Sequence, residues 1–243
     1  MPSLQNLFYG GYDDAVRYIE KRKKSGLKTA VFTPNVEILA GCAKDAEADR
    51  LLRRGDLLLP DGIGVYIAAK LRGYRPRERT NGIDLAEKLM KDHGGEISLF
   101  LLGAKPGVAE KAATRLRERH PSLRVVGYHH GYFSEEENES IARMIDNSGA
   151  DTVFVCLGSP RQERWIIENL PRLKHVSIAI GLGGSLDVWS GNLRRAPSAF
   201  RILGLEWLFR ICVSPERIKR LPALLSFIPL CFNDKIAPKS SIL

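Results

Sequence analysis

The sequence predicts an α/β protein with a Rossmann-like, doubly wound and mostly parallel sheet flanked by helices, followed by a short helical C-terminal appendage. Six short runs rich in Val, Ile, Leu and Phe recur along the chain, and helical patterns fill most of the intervals between them. The runs are continuously apolar rather than alternating, which indicates strands covered on both faces. The predicted strands occupy residues 28–33, 56–60, 97–103, 123–129, 151–158 and 176–183.

Helical patterns separate these strands. Apolar residues at helical spacing predict one helix over residues 36–54, and a second is expected over residues 63–71. Residues 106–119 are rich in Ala, Glu and Arg, and residues 134–147 begin Ser-Glu-Glu-Glu, which is typical of an N-cap before an acidic first turn. We expect residues 1–194 to form the α/β core and 195–243 to form the appendage.

Composition limits the class of protein. The 243 residues carry a net charge of +9, which favours anionic partners such as nucleic acid, phosphorylated substrates or an anionic membrane. Its four cysteines form no C-x-x-C pair, so we interpret them as reduced thiols of a cytoplasmic protein. The segment MPSLQNLFYGG lacks the pattern of a signal peptide, and no apolar stretch reaches the ~18–20 residues that span a bilayer.

The segments that follow the six strands are the candidates for a ligand site, because ligands of such folds bind outside the carboxyl ends of the strands. Four of these segments contain glycine pairs or Gly-Pro combinations, which let the backbone approach a nucleotide or a sugar phosphate closely. No G-x-G-x-x-G follows the first strand, so the sequence gives little support for a dinucleotide cofactor. The segments are TPNVE (33–37), PDGIG (60–64), GAKPG (103–107), HHGYF (129–133), GSPRQE (158–163) and GLGGSLD (181–187).

Three polar residues after the first two strands each have two interpretations. Asp61 precedes the predicted helix over 63–71, so it is either an N-cap of that helix or a general base in the cleft. Asn35 is either the N-cap of the helix that starts at Val36 or a cleft residue, and Thr33 presents the same choice.

Other polar positions are similarly open. Arg79 lies in the basic segment RPRERTNGIDL, where it is either part of a solvated charge run or a bidentate ligand of a diphosphate. Gln162 is either an exposed residue in the first turn of a helix or a hydrogen-bond donor to a sugar or phosphate. His129 and His130 are adjacent, so in a strand they would point to opposite faces and would not easily chelate one metal; we interpret them as structural or rim residues.

Five sequence blocks together resemble the WecG/TagA/CpsF glycosyltransferase family, and the resemblance spans most of residues 5–220 in the family's order. The blocks are TPN (33–35), LLLPDGIGV (57–65), ERTNGIDL (78–85), GSPRQERW (158–165) and GLGGSLDVWSG (181–191).

The resemblance implies roles for individual residues. The family's catalytic aspartate falls on Asp61, its cleft threonine and asparagine on Thr33 and Asn35, its arginine on Arg79 and its glutamine on Gln162. The block after that arginine reads T-N-G-I-D here, where relatives often have V-T-G-S-D.

The appendage is similar to that of the family's TagA branch. This likeness implies inverting transfer of N-acetylmannosamine from UDP-N-acetylmannosamine to the 4-hydroxyl of undecaprenyl-diphosphate-linked N-acetylglucosamine, which makes the linkage unit of wall teichoic acid. UDP-N-acetylmannosaminuronic acid and UDP-glucose are alternative donors within the wider family. Asp187, at the end of GLGGSLD, is a weaker candidate that could accept hydrogen bonds from ribose hydroxyls.

The sequence contains no D-x-D pair, which many nucleotide-sugar transferases use to hold a divalent ion; Asp13 and Asp14 are adjacent and open a helix instead. We therefore expect a mechanism without metal or other cofactor, in which arginines and helix N-termini neutralise the leaving diphosphate.

The C-terminal stretch combines basic and apolar residues. Between Arg194 and Lys235 there are eight basic and three acidic residues, so a surplus of five positive charges lies in under a fifth of the chain. Ser214-Pro215-Glu216 is typical of a helix start, and Pro222 and Pro229 predict short, broken helices. The apolar residues of this stretch include Trp207, Leu208, Phe209, Ile211, Leu221, Leu224, Leu225, Phe227, Ile228 and Leu230.

This stretch predicts that the protein associates peripherally with the anionic inner face of the cell membrane. The alternative is an ordinary final helix packed on the core or on another subunit, as in a homo-oligomer. Arg210, Arg217 and Arg220 match arginines that the TagA branch is thought to bring into its active site, so the resemblance implies that the tail supplies diphosphate-binding charge.

Two further classes remain as alternatives. A non-enzymatic basic module would bind membrane or nucleic acid, but the tail's aromatic residues sit among long aliphatic ones, which favours lipid and predicts no nucleic-acid partner. A nucleotide-dependent oxidoreductase would need the missing glycine fingerprint.

Overall fold

The computed structural model describes residues 2–213. Its centre is one six-stranded sheet in which every paired strand runs parallel to its neighbour, in the order β2-β1-β6-β5-β3-β4. The predicted fold class is therefore confirmed. The strands are β1 (Thr29–Phe32), β2 (Leu57–Leu58), β3 (Ser98–Gly103), β4 (Arg124–His129), β5 (Thr152–Cys156) and β6 (Ile178–Gly181).

Helices connect the strands and cover both faces of the sheet, and short 3₁₀ turns occur at Pro2–Asn6 and Leu170–Arg172. The α-helices are α1 (Tyr12–Lys24), α2 (Val36–Cys42), α3 (Ala46–Leu52), α4 (Ile63–Leu71), α5 (Gly82–His93), α6 (Val108–Arg119), α7 (Asn138–Asn147), α8 (Arg161–Asn169), α9 (Ser185–Trp189), α10 (Ser198–Ile202) and α11 (Glu206–Val213).

The hydrophobic core consists of two layers, one on each face of the sheet. Neighbouring residues of a strand point to opposite faces, so Phe32 joins one layer and Val31 the other. Phe100 and Leu99 of β3 divide in the same way. Because both faces are covered, every residue of the four central strands is buried, as the continuous apolar runs predicted.

The fourth strand is an exception, and the expectation that it is covered on both faces is wrong. It lies at the edge of the sheet, and its exposure alternates, with Val126 and Tyr128 partly in solvent. An edge position alone does not expose a strand, since β2 lies at the opposite edge and is buried. The alternation in β4 indicates that one of its two faces is less covered than the other.

Two helices differ from the expected bounds. The pattern over residues 36–54 forms two helices, because the Asp45 carboxylate accepts a hydrogen bond from the backbone N–H of Glu47 at 2.8 Å and caps a new helix, α3. The helix expected from residue 134 begins at Asn138, because Ser134 donates its backbone N–H to the Glu137 carboxylate at 2.8 Å and closes a turn before the helix.

Helices α10 and α11 fall in the predicted appendage, whose boundary at residue 195 stays a prediction. Residues 214–243, which include the expected helix start at 214–216 and the breaks at Pro222 and Pro229, lie outside the described residues. Within residues 2–213 no helix has the length and apolarity needed to cross a bilayer.

The turn from β2 into α4 places Asp61 and depends on a glycine. Gly62 has φ 88° and ψ 173°, a conformation that residues with a side chain rarely adopt, and it is the N-cap residue of α4. The turn is held on both sides, since Asp61 N–H donates to the Pro34 carbonyl and Gly62 N–H to the Thr80 carbonyl, each at 3.0 Å.

We predict that Gly62→Ala lowers the free energy of unfolding by about 1–3 kcal/mol through backbone strain alone, because no atom lies within 4 Å of the added methyl group. Gly41→Ala is the matched control, since Gly41 has the same open surroundings within helix α2 and should gain up to ~1 kcal/mol. Denaturant unfolding of both variants measures the difference. Equal effects would show that the strain at Gly62 is absent.

Candidate functional site

The carboxyl ends of the six strands surround one large cavity of about 1490 Å³. Each of the six segments predicted from the sequence contributes to its lining, which confirms the expected location of the cleft. One lining residue after each strand is Thr33, Asp61, Ala104, Gly131, Gly158 and Gly183.

Asp61 lies in the cavity wall with its side chain partly exposed. The N-cap alternative for Asp61 is wrong, because Gly62 holds the N-cap position of α4. The Asp61 carboxylate also interacts electrostatically with Tyr12. Burial raises the pKa of the Tyr12 hydroxyl, and the negative charges of Asp84, Asp61 and Glu78 raise it further. Asp61 thus contributes a carboxyl group to the cavity wall, and its role as a general base stays a prediction.

Asn35 and Thr33 both line the cavity while supporting local structure. The Asn35 amide oxygen accepts the backbone N–H of Ile38 at 3.0 Å, so its predicted N-cap role is confirmed. Thr33 is buried, and its hydroxyl donates to the Gly181 carbonyl at 2.9 Å across the sheet. Their expected contacts with a ligand stay predictions.

Gln162 is buried rather than exposed, so the alternative of an exposed helix residue is wrong. Its amide oxygen accepts the backbone N–H of Gly183 at 2.9 Å, and its amide nitrogen donates to the Glu163 carboxyl at 2.9 Å. Gly181 lies against this amide, so close that a methyl group there would be 2.9 Å from the Gln162 nitrogen. Gln162 therefore holds the backbone of the loop between β6 and α9.

Sequence reasoning missed Glu163. It lines the cavity, yet only 3% of the residue is exposed. Burial raises the pKa of its carboxyl, an effect that hydrogen bonds from Gln162 and Ser159 partly oppose. The sequence shows a glutamate next to Gln162 in GSPRQERW, but its local pattern does not indicate that this glutamate is buried.

Arg79 lines the cavity and is bound to the predicted appendage, so it is not merely part of a solvated charge run. Its guanidinium donates to the Arg201 carbonyl and, at 3.2 Å, to the Ile202 carbonyl at the end of α10. Gly204 permits this approach, since a methyl group there would lie 2.7 Å from an Arg79 nitrogen.

A second link to the appendage was also missed. The Arg195 guanidinium pairs with the Asp84 carboxylate, whose other oxygen accepts from the Asn81 side chain at 2.7 Å. Asn81 in turn caps α5 by accepting the backbone N–H of Asp84 at 2.9 Å. All three residues line the cavity.

The remaining predicted site residues divide by location. Asp187 lies in the first turn of α9 and lines the cavity. Arg210 belongs to α11, but its side chain lies outside the described part of the structure. Arg217 and Arg220 also lie outside the described residues, so the structure does not place them.

The two adjacent histidines lie at the edge of the sheet. His130 follows the last residue of β4, and its ring centroid is only 4.3 Å from that of His129, so the expectation that they face opposite ways is wrong. His129 Nδ1 is 2.8 Å from the His130 carbonyl oxygen, which is typical of a structural role. The nearby loop is held by Arg161, which donates to the Gly131 carbonyl at 2.6 Å.

Of two further groups of titratable side chains, one lies within the cavity lining and one lies away from it. Cys156 lines the cavity, but burial raises its thiol pKa to about 12, so it is not a thiolate nucleophile at neutral pH. Among the described residues, Glu20, His93 and Glu96 have ligand atoms within 4.8 Å of one another, and this group is not part of the cavity lining.

Comparison with known proteins decides the family. The model of the WecG/TagA/CpsF family of glycosyl transferases matches residues 7–241. The chain belongs to this family. The WecG/TagA/CpsF assignment identifies the chain as a glycosyltransferase, so the alternatives of a non-enzymatic module and of an oxidoreductase are wrong.

Two curated relatives are similar over most of the WecG/TagA/CpsF match. A protein of Bacillus subtilis strain 168 is 35% identical over 210 residues, covering 85% of this chain and 80% of the relative. A protein of Bacillus spizizenii strain W23 is 34% identical over 212 residues, covering 87% and 80%. Both are named N-acetylglucosaminyldiphosphoundecaprenol N-acetyl-β-D-mannosaminyltransferase.

We predict that Glu163→Gln stabilises the protein increasingly as pH rises above about 4.5, the ordinary pKa of the carboxyl. The raised pKa means that the unfolded chain ionises Glu163 before the folded chain does, so folding of the unchanged protein loses stability between these two pKa values. A neutral amide avoids that loss.

Melting temperatures measured from pH 4 to 8 test this prediction. Glu168→Gln, on the exposed face of the same helix, is the control and should have little effect at any pH. A Glu163→Gln difference that does not change with pH would contradict the prediction.

Proposed function

We propose that this glycosyltransferase moves N-acetylmannosamine from UDP-N-acetylmannosamine to the 4-hydroxyl of undecaprenyl-diphosphate-linked N-acetylglucosamine, in the synthesis of the wall teichoic acid linkage unit. The observation that carries the proposal is the convergence of the five family blocks on one cavity, with Asp61 in its wall. The names of the two Bacillus relatives supply the sugar and the lipid-linked acceptor.

The proposed reaction is a single inverting displacement. The acceptor hydroxyl oxygen forms a bond to the anomeric carbon while the bond from that carbon to the UDP oxygen breaks on the opposite face. Asp61 takes the hydroxyl proton, and UDP leaves with the bonding electron pair. The positions of Thr33, Asn35 and Gln162 favour roles in shaping the donor side of the cavity, and Asp187 is proposed to bind ribose.

Cationic side chains would balance the charge that grows on the leaving diphosphate. Arg79 is the described candidate, and two of the five N–H donors of its guanidinium already serve the carbonyls at the end of α10. We propose that Arg210, Arg217 and Arg220 add charge from the tail. The absence of a D-x-D pair from the sequence supports transfer without a metal or other cofactor.

Because the proposed acceptor is linked to a lipid, the transfer reaction would take place at a membrane surface. The surplus of positive charge after Arg194 favours peripheral association with an anionic inner leaflet, and each Lys or Arg near such a surface contributes about 1 kcal/mol. Phe200, Ile202, Leu203, Trp207 and Leu208 are partly or largely exposed on α10, α11 and the turn between them, which supports contact with lipid or with a second copy of the chain.

We predict that Asp61→Asn and Asp61→Ala reduce turnover at least about a hundredfold, because a general base contributes roughly 10²- to 10⁴-fold. UDP binding should be largely kept, since the lost carboxylate serves the acceptor. Asp13→Asn, which changes an exposed carboxylate paired with Lys88, is the control and should keep full turnover.

Turnover is measured with a panel of UDP-sugars and an undecaprenyl-type acceptor analogue, and UDP binding by thermal stabilisation. Preference for the uronic acid or glucose donor would revise the donor assignment. Near-normal turnover of either Asp61 variant would remove Asp61 from the base role.

We also predict that the double substitution Arg217→Ala/Arg220→Ala lowers the rate of transfer far more than Lys235→Ala/Lys239→Ala does. Both remove two positive charges from the tail, so both should weaken binding to anionic vesicles by similar amounts. Only the arginine pair is proposed to reach the diphosphate. Equal loss of activity in the two variants would indicate that tail charge serves membrane binding alone.

A further inference from the structure

We propose that Glu163 is a positioning residue: its carboxyl fixes the orientation of the Gln162 amide, and this amide holds the glycine-rich loop between β6 and α9 in the wall of the cavity. The proposal rests on the cavity being the transfer site, as proposed above. It assigns Glu163 a role that acts through Gln162 rather than directly on the reacting atoms.

The contacts form a short chain from the helix to the loop. Glu163 Oε1 accepts from Gln162 Nε2 at 2.9 Å, and Gln162 Oε1 accepts from the Gly183 N–H at 2.9 Å. Glu163 and Gln162 are both 3% exposed, so water does not compete readily for these bonds.

The carboxyl determines which way the amide points. With the amide reversed, its NH₂ would face the Gly183 N–H and its oxygen would face a Glu163 oxygen, giving two donors opposed and two acceptors opposed. Without an acceptor at residue 163, only the contact with Gly183 would select the observed orientation. Glu163 therefore adds a second hydrogen bond that favours the amide orientation seen at the loop.

The loop held in this way is central to the cavity. Gly183 has φ 52°, and residues 182–185 all line the cavity before Asp187 follows in the first turn of α9. Thr33 supports the same segment from the other side by donating to the Gly181 carbonyl. A shift of the loop would move the backbone that faces the donor.

The free-energy cost of burying the Glu163 carboxyl also favours a functional role for this residue. Glu163 is 3% exposed, and hydrogen bonds from Gln162 and Ser159 only partly offset the effect of burial, so the pKa of its carboxyl is raised. An apolar side chain would fill the position at lower cost in solvation. Strongly buried carboxyl groups in a cleft are enriched at functional sites for this reason.

Glu163→Leu tests the proposal. It should raise the KM for the UDP-sugar about tenfold with kcat nearly unchanged. Glu163→Gln, which restores an acceptor oxygen, should recover KM to within about threefold. Glu163→Met serves in place of Glu163→Leu if the leucine variant folds poorly.

A double-variant cycle with Gln162→Leu separates positioning from an independent effect. If Glu163 acts through Gln162, adding Glu163→Leu to Gln162→Leu causes no further rise in KM. Multiplication of the two effects would overturn the proposal, as would an unchanged KM in Glu163→Leu.

The structural step is also measured without substrate. The ¹H–¹⁵N resonance of the Gly183 amide should shift in Glu163→Leu and return towards its original position in Glu163→Gln. An unshifted resonance would overturn the proposal. If the unchanged protein failed to use any donor tested, the proposed function would fail, while this resonance would still report on the positioning role.

Discussion

The requirement that buried backbone polar groups find partners governs this site. In a parallel sheet the carboxyl ends of all strands lie on the same side of the molecule. Segments as distant in sequence as residues 33 and 183 therefore meet there. Beyond the last ladder bonds, the N–H and C=O groups of the turns need side chains. Thr33, Gln162 and Thr80 fill this need at the Gly181, Gly183 and Pro60 backbones, respectively.

Several side chains of the family motifs consequently form hydrogen bonds to the protein's own backbone. Both ends of the Gln162 amide form hydrogen bonds inside the protein, and the Thr33 hydroxyl donates a hydrogen bond to a backbone carbonyl. In the proposed site, a ligand would meet glycine backbone whose position these side chains set. This arrangement explains why motif residues can be essential to a site without touching the reacting atoms.

Local patterns predicted the strands and the helix over residues 63–71, because continuous apolarity and helical spacing are properties of short segments. They also predicted which segments line the cavity, because parallel topology fixes the edge at which strands end. They did not predict the exposure of β4, which depends on how its two faces are covered by the rest of the chain, or the break at Asp45, which depends on a cap competing with helical spacing. The contacts of Arg79 with Ile202 and of Asp84 with Arg195 join residues 123 and 111 positions apart, so no local pattern carries them.

These two long-range contacts tie the proposed chemistry to the segment after Arg194. Arg79 serves neutral carbonyls at the end of α10, whereas a diphosphate would offer it charged oxygens and stronger hydrogen bonds. The planar guanidinium has donors on two edges, so it can hold α10 with one edge and present another to an anion. Arg195 keeps the start of the same segment against Asp84. In the proposed reaction, Arg79 would therefore both hold the end of α10 and supply charge to the leaving diphosphate.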